Sequence, residues 1–128
     1  MIVRVTILLL CAGGLYASAF MFRKALRARH GEIKEPTVVK TPRAHVIAGI
    51  PNSAFGLAYY AALAVATPFL QTGPVFWCAF AAALGAAAFS LYLAYSLLFV
   101  TRMPCPYCWS SHAINWSLAI LLWLARPQ

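Results

Sequence analysis

The chain has 128 residues, 63% of them hydrophobic and only 9% charged. A soluble domain carries about 25% charged residues, and soluble helices keep a polar face that these runs lack, so the composition argues against a soluble helical core. The net charge of +8 is not a nucleic-acid signature, because seven of the ten Lys/Arg lie between Arg23 and Arg43 beside an apolar segment. Such a cluster faces the cytoplasm or anionic lipid headgroups.

Apolar runs of about 18 residues or more recur along the chain, the length that crosses roughly 30 Å of hydrocarbon. The first predicted span is Val5 to Phe22. Its Ala17-Ser18-Ala19 resembles a signal-peptide cleavage site, but the positive charge that follows opposes export, so an uncleaved spanning helix is the preferred reading. Cys11 follows Leu10, which makes a poor lipoprotein site; Cys11 and Cys78 are both read as small packing residues. Arg23 to His30 continues the helix out of the membrane, Glu32 to Pro42 is loop, and Arg43 to Ile50 is a short interfacial or re-entrant piece.

The second span runs from Ser53 to Leu70, with Asn52 as a candidate N-cap. Gln71-Thr72-Gly73-Pro74 forms a turn. The third span, Val75 to Val100, has a centre of small residues from Ala81 to Ala88, which lets helices approach closely in lipid. The fourth runs from Cys105 to Leu124. The expected fold is all-α: one integral membrane domain over residues 1–128, an antiparallel four-helix bundle with a long first loop containing a short interfacial helix.

The candidate chemistry lies at the start of the fourth span, Cys105-Pro106-Tyr107-Cys108. Pro104 disfavours helix before Cys105, and Pro106 suits the first helical turn. That puts Cys105 at the N-cap and Cys108 one turn inside, close enough to bridge. The helix N-terminus and Arg102 favour a thiolate. Cys105 is expected at the water boundary and Cys108 deeper. His112 and Asn115 continue the face of Cys108, and polar side chains within a span tend to face a cavity or another helix. Other readings of these residues are open: a metal site using Cys105, Cys108 and His112 with His45 as a fourth ligand, a structural disulfide, or, for Asn115, a plain interhelical hydrogen bond.

The residues resemble the vitamin K epoxide reductase family of membrane, quinone-linked thiol oxidoreductases. Ser90-Leu91-Tyr92-Leu93-Ala94-Tyr95 leading into Cys105-Pro106-Tyr107-Cys108, then Ala113-Ile114-Asn115, carry the likeness, together with Gly49-Ile50-Pro51-Asn52-Ser53-Ala54-Phe55-Gly56 and the four-span layout. The resemblance implies a bundle holding a quinone of the ubiquinone, menaquinone or phylloquinone class. By position, Cys108 would react with the quinone and Cys105 would exchange with a thioredoxin-like protein or another protein dithiol. Asn52 would hydrogen-bond a quinone carbonyl, Phe55 would wall the pocket, and His112 stands where vertebrate-type members carry a tyrosine. The implied location is a prokaryotic cell inner membrane, crossed several times.

The chain departs from the family by lacking the two cysteines of the first loop, as in a bacterial-type member without that internal relay; the family's loop serine has only Thr41 nearby, one residue out of register. The charge bias places the long loop and the cysteine pair on the cytoplasmic side, whereas the resemblance implies an exported face. The reading is a membrane thiol–disulfide oxidoreductase with no resident metal. The alternative is a non-catalytic membrane subunit or metal-binding protein that retains the bundle.

Overall fold

Four α-helices carry the chain in the computed structural model, which describes residues 1–47 and 49–127. They are α1 (Ile2–Arg29), α2 (Asn52–Ala66), α3 (Gly73–Tyr95) and α4 (Pro106–Leu124), and no β-strand occurs among the described residues. Prolines mark three of the starts: Pro51 caps α2, and Pro74 and Pro106 occupy the first turns of α3 and α4. A first-turn proline costs little, because its missing N–H has no helical partner there. The last turn of α1 carries Arg27 and Arg29, positive charge at the negative end of the helix dipole.

Helix α1 packs against α2 and α4, and α3 packs against α4, while α2 and α3 touch only lightly. The shared core joins Ile7 and Cys11 of α1, Tyr60 and Leu63 of α2, Phe76, Phe80 and Ala83 of α3, and Leu118 and Leu122 of α4. The tightest approach is between α1 and α2. A Cβ at Gly14 would lie 2.5 Å from the Tyr60 ring, and one at Gly56 would lie 2.6 Å from Ser18 Oγ. Glycine is required at both places because the facing side chain occupies the space a methyl group would fill.

The exterior is the reverse of a soluble protein's. Val65, Phe69, Trp77, Leu91, Phe99, Ile120 and Leu124 are exposed, whereas Ser18, Thr67, Ser90, Ser96 and His112 are buried. No Asp, Glu, Lys or Arg occurs within α2, α3 or α4. Two helical stretches, Ile2–Arg29 and Gly73–Thr101, are long and apolar enough to cross a membrane.

Several expectations are corrected. The first helix starts at Ile2 rather than Val5, while its basic end continues helical to Arg29 as expected. Asn52 is not the N-cap of α2; Pro51 is, and Asn52 lies in the first turn. The short interfacial helix over Arg43 to Ile50 is replaced by two single 3-10 turns, Val38–Lys40 and Pro42–Ala44, and a tight turn closed by Ile50 N donating to Ile47 O. Ala48 of that stretch lies outside the described residues. Gly49 has φ +72°, a left-handed conformation suited to glycine. Cys78 is exposed rather than packed inside. The predicted third span divides: after Tyr95 the helix loosens into a π-turn, Ser96–Thr101, that ends at Arg102 with φ 53° and ψ 35°. The small-residue run of α3 is half turned outward, with Ala83 buried and Ala81, Ala82 and Ala88 exposed.

Candidate functional site: a disulfide at the mouth of an apolar cavity

Cys105 is the N-cap of α4, and its Sγ accepts the Cys108 N–H at 3.3 Å. The two cysteines are joined as a disulfide with Cα atoms 5.2 Å apart. Helical i, i+3 spacing brings the side chains onto one face, and the extended backbone at Cys105, φ −148° and ψ 88°, turns its sulfur toward the helix. Tyr107, between them, stacks on Phe20 of α1 with ring centroids 4.0 Å apart, which seats the start of α4 against α1. The expected depths are reversed in one respect: Cys105, expected at the water boundary, is buried, only 6% exposed. Cys108 is half-buried and lines a cavity of about 380 Å³.

The cavity is walled mainly by apolar side chains, among them Met21, Val39, Phe55, Phe89 and Leu93. Polar groups that line it include Asn52, Arg43, Tyr59, Tyr60, Ser90, His112 and Asn115, with several further serine and threonine hydroxyls. Thus Cys108, His112, Asn52 and Phe55 are gathered around one space, and Cys105 stands behind Cys108. His112 is buried between the rings of Trp109 and Trp116, with centroids 5.9 and 6.2 Å away. Its ring makes no hydrogen bond among the described residues.

Asn52 is committed on one side. Its Nδ2 donates to Arg43 O at 2.7 Å, and its Oδ1 accepts the Val46 N–H at 3.3 Å. One Nδ2 hydrogen remains for a ligand. Asn115 bridges three helices: its Nδ2 donates to Ser90 Oγ at 2.7 Å and its Oδ1 accepts Tyr60 Oη at 2.6 Å. The interhelical reading of Asn115 describes what it does here. Thr41 stays outside the cavity lining, its hydroxyl bonded to Val38 O at 2.6 Å. His45 lies against Thr41 O at 3.5 Å. Among the described residues no three of His, Cys, Asp and Glu gather to hold a metal ion, so the reading that used His45 as a ligand has no ligand set there.

Arg43 was only one of the basic residues in the sequence; the structure gives it a place. Its Nη1 donates to Tyr92 Oη and, at 3.3 Å, to Ser96 Oγ, and the guanidinium lies 5.3 Å from the Tyr92 ring centroid. Together with the Asn52 bonds to its backbone, this pins the loop over the cavity. Tyr60 and Ser90 were also missed. For Tyr60 a signal existed: Asn52, Gly56 and Tyr60 recur every four residues on one helix face.

The arrangement defines a helical protein with a thiol–disulfide pair, one sulfur opening onto an apolar cavity and the other at a helix N-terminus. The sequence profile of the vitamin K epoxide reductase family matches residues 5–123. The chain belongs to that family, whose members are membrane thiol–disulfide oxidoreductases. A comparison with curated proteins finds no match.

Proposed function

We propose that this chain, as one unit, spans a prokaryotic inner membrane several times and passes electrons between a protein dithiol and a quinone through Cys105 and Cys108. The observation that carries the reading is the position of the disulfide, with Cys108 lining the cavity. The membrane part rests on the apolar exterior and on helix length. Rising about 1.5 Å per residue, and about 2 Å in its 3-10 extension, α2 with Thr67–Phe69 reaches ~28 Å and α4 a similar length, near the roughly 30 Å of hydrocarbon.

The cavity suits a flat, apolar ring with carbonyl oxygens. Its volume of about 380 Å³ falls within the roughly 300–1,000 Å³ of small-molecule sites, which are apolar with a few placed polar groups. A bound quinone of the ubiquinone, menaquinone or phylloquinone class supplies a two-electron, two-proton acceptor. Asn52 offers its remaining Nδ2 hydrogen to one carbonyl and His112 a ring N–H to another. Phe55 and the facing aliphatic side chains exclude water. With the pair reduced, Cys108 presents its sulfur to the cavity, and Cys105 closes back on it to restore the disulfide. The Cys108 N–H, aimed at Cys105 Sγ, and the α4 N-terminus stabilise negative charge on that sulfur. A thioredoxin-like protein is the partner class, exchanging at Cys105.

The test is dithiol-dependent quinone reduction by purified protein, followed by quinone absorbance. Cys105→Ser and Cys108→Ser are each expected to abolish it; turnover that survives both substitutions sinks the proposal. A second reading, a non-catalytic subunit, is favoured by the absence of any cysteine between Cys11 and Cys78. It expects no turnover from the native protein with any dithiol.

A further inference from the structure

The first loop has no cysteine to relay electrons, so on the thiol-exchange reading an outside thiol must itself reach Cys105. Cys105 is only 6% exposed, which calls for a seated partner rather than a brief collision. A second cavity, of about 280 Å³, lies at this end of the molecule. Lys24 of α1, Ile33, Glu35 and Val38 of the loop, and Met103 and Pro104 line it. Pro104, the residue before Cys105 in the chain, is part of this lining, which does not include either cysteine. Of the charged residues, Lys24 and Glu35 line the groove, and Lys34 and Arg102 are the chain neighbours of lining residues; over this region the sequence holds six Lys/Arg from Arg23 to Lys40 and Arg102 against two carboxylates, Glu32 and Glu35. Glu32 is already taken by Arg27 at 3.0 Å.

We infer that this groove and its basic rim are the docking surface for a protein dithiol whose cysteines are set in acidic surroundings. The inference rests on the thiol-exchange reading and names the partner's chemistry. Opposite charge raises encounter rates and fixes register. Anionic lipid would also be attracted to these residues, but α1 at 28 residues extends about 42 Å, roughly 12 Å beyond the hydrocarbon, and a groove lined by the residue before Cys105 fits an inserted chain. In the exchange, a partner thiolate attacks Cys105 Sγ, the Cys105–Cys108 bond breaks, and Cys108 leaves as thiolate. The partner's second thiol then attacks its own bonded sulfur, releasing Cys105. The partner ends as a disulfide and the pair as a dithiol, with two electrons transferred and the two thiol protons passed on.

The test uses the full chain in neutral detergent micelles and two synthetic peptides with the same Cys-x-x-Cys core, flanked by glutamates or by lysines. Release of the Cys105 and Cys108 thiols is followed by alkylation. Each rate is divided by that peptide's rate toward a small soluble disulfide, which removes differences in thiol reactivity. The acidic peptide is expected to be about tenfold faster at low salt, with the advantage gone near about 1 M salt. Lys24→Glu and Lys34→Glu should reverse the preference, and Glu35→Lys should strengthen it. Equal rates for the two peptides, or rates unmoved by Lys24→Glu, overturn the docking surface alone. Loss of anionic-vesicle binding in those variants without a rate change assigns the basic rim to lipid instead. If neither peptide reduces the disulfide while dithiothreitol does, the thiol-exchange reading falls, and the docking surface with it.

Discussion

At the scale of single residues, the site divides into groups proposed to react and groups whose hydrogen bonds hold the surrounding structure. Cys105, Cys108, His112 and Asn115 were legible in the sequence because their spacing of three, four and three residues is local, and helix periodicity alone puts them on one side. Arg43 was not, because its partner Tyr92 is 49 residues away and no local pattern links a loop arginine to a tyrosine in a later helix. Replacing Asn115 with Leu removes two interhelical bonds, and a loss of about 1–2 kcal/mol is expected by denaturant titration in detergent, since such bonds average about 0.6 kcal/mol and reach about 1.7. Arg43→Ala should free the loop while leaving the helices folded, read as faster amide exchange or protease cleavage between Thr37 and Ile50. His112→Phe keeps the ring between the two tryptophans but cannot donate to a carbonyl. It is expected to lower kcat/KM for the quinone about tenfold, the worth of one hydrogen bond of ~1.4 kcal/mol, without affecting formation of the Cys105–Cys108 disulfide.

At the scale of elements, hydropathy located all four helices and prolines located three of their starts. Boundaries were missed where the physics is not in the local composition. The apolar stretch Ser96–Thr101, which reads as ordinary helix, loosens into a π-turn. That turn and the left-handed Arg102 redirect the chain so that Cys105 caps α4. A non-glycine residue held left-handed costs on the order of 1 kcal/mol, so Arg102→Gly should be tolerated or slightly stabilising. The close approach of α1 and α2 was equally hidden, because Gly14 and Gly56 announce themselves only once the two faces are known to meet. Gly14→Ala, whose methyl would meet the Tyr60 ring at 2.5 Å, is expected to cost about 1–3 kcal/mol. The displaced Tyr60 should also lose its bond to Asn115, so Gly14→Ala combined with Tyr60→Phe should cost less than the sum of the two. Full additivity would separate the packing from the network.

At the scale of the whole molecule, polar side chains turn inward around one cavity and apolar ones outward, and the basic loop shares an end with the disulfide. The composition made the first half of that legible; the second needed the topology. By the positive-inside rule we expect this end in the cytoplasm, so a cysteine introduced at exposed Lys34 should react with an impermeant maleimide only from that side. Labelling from the opposite side alone would put the pair in an oxidising compartment. The central claim, that Cys105 and Cys108 hand electrons to a quinone, is tested most directly by stoichiometry. Reduced protein is mixed anaerobically with a short-chain ubiquinone analogue, and the remaining thiols are counted by alkylation and mass measurement. The account expects two thiols lost per quinone consumed, both at Cys105 and Cys108, with Cys11 and Cys78 unchanged. Quinone left unreduced while both thiols remain alkylatable would contradict it.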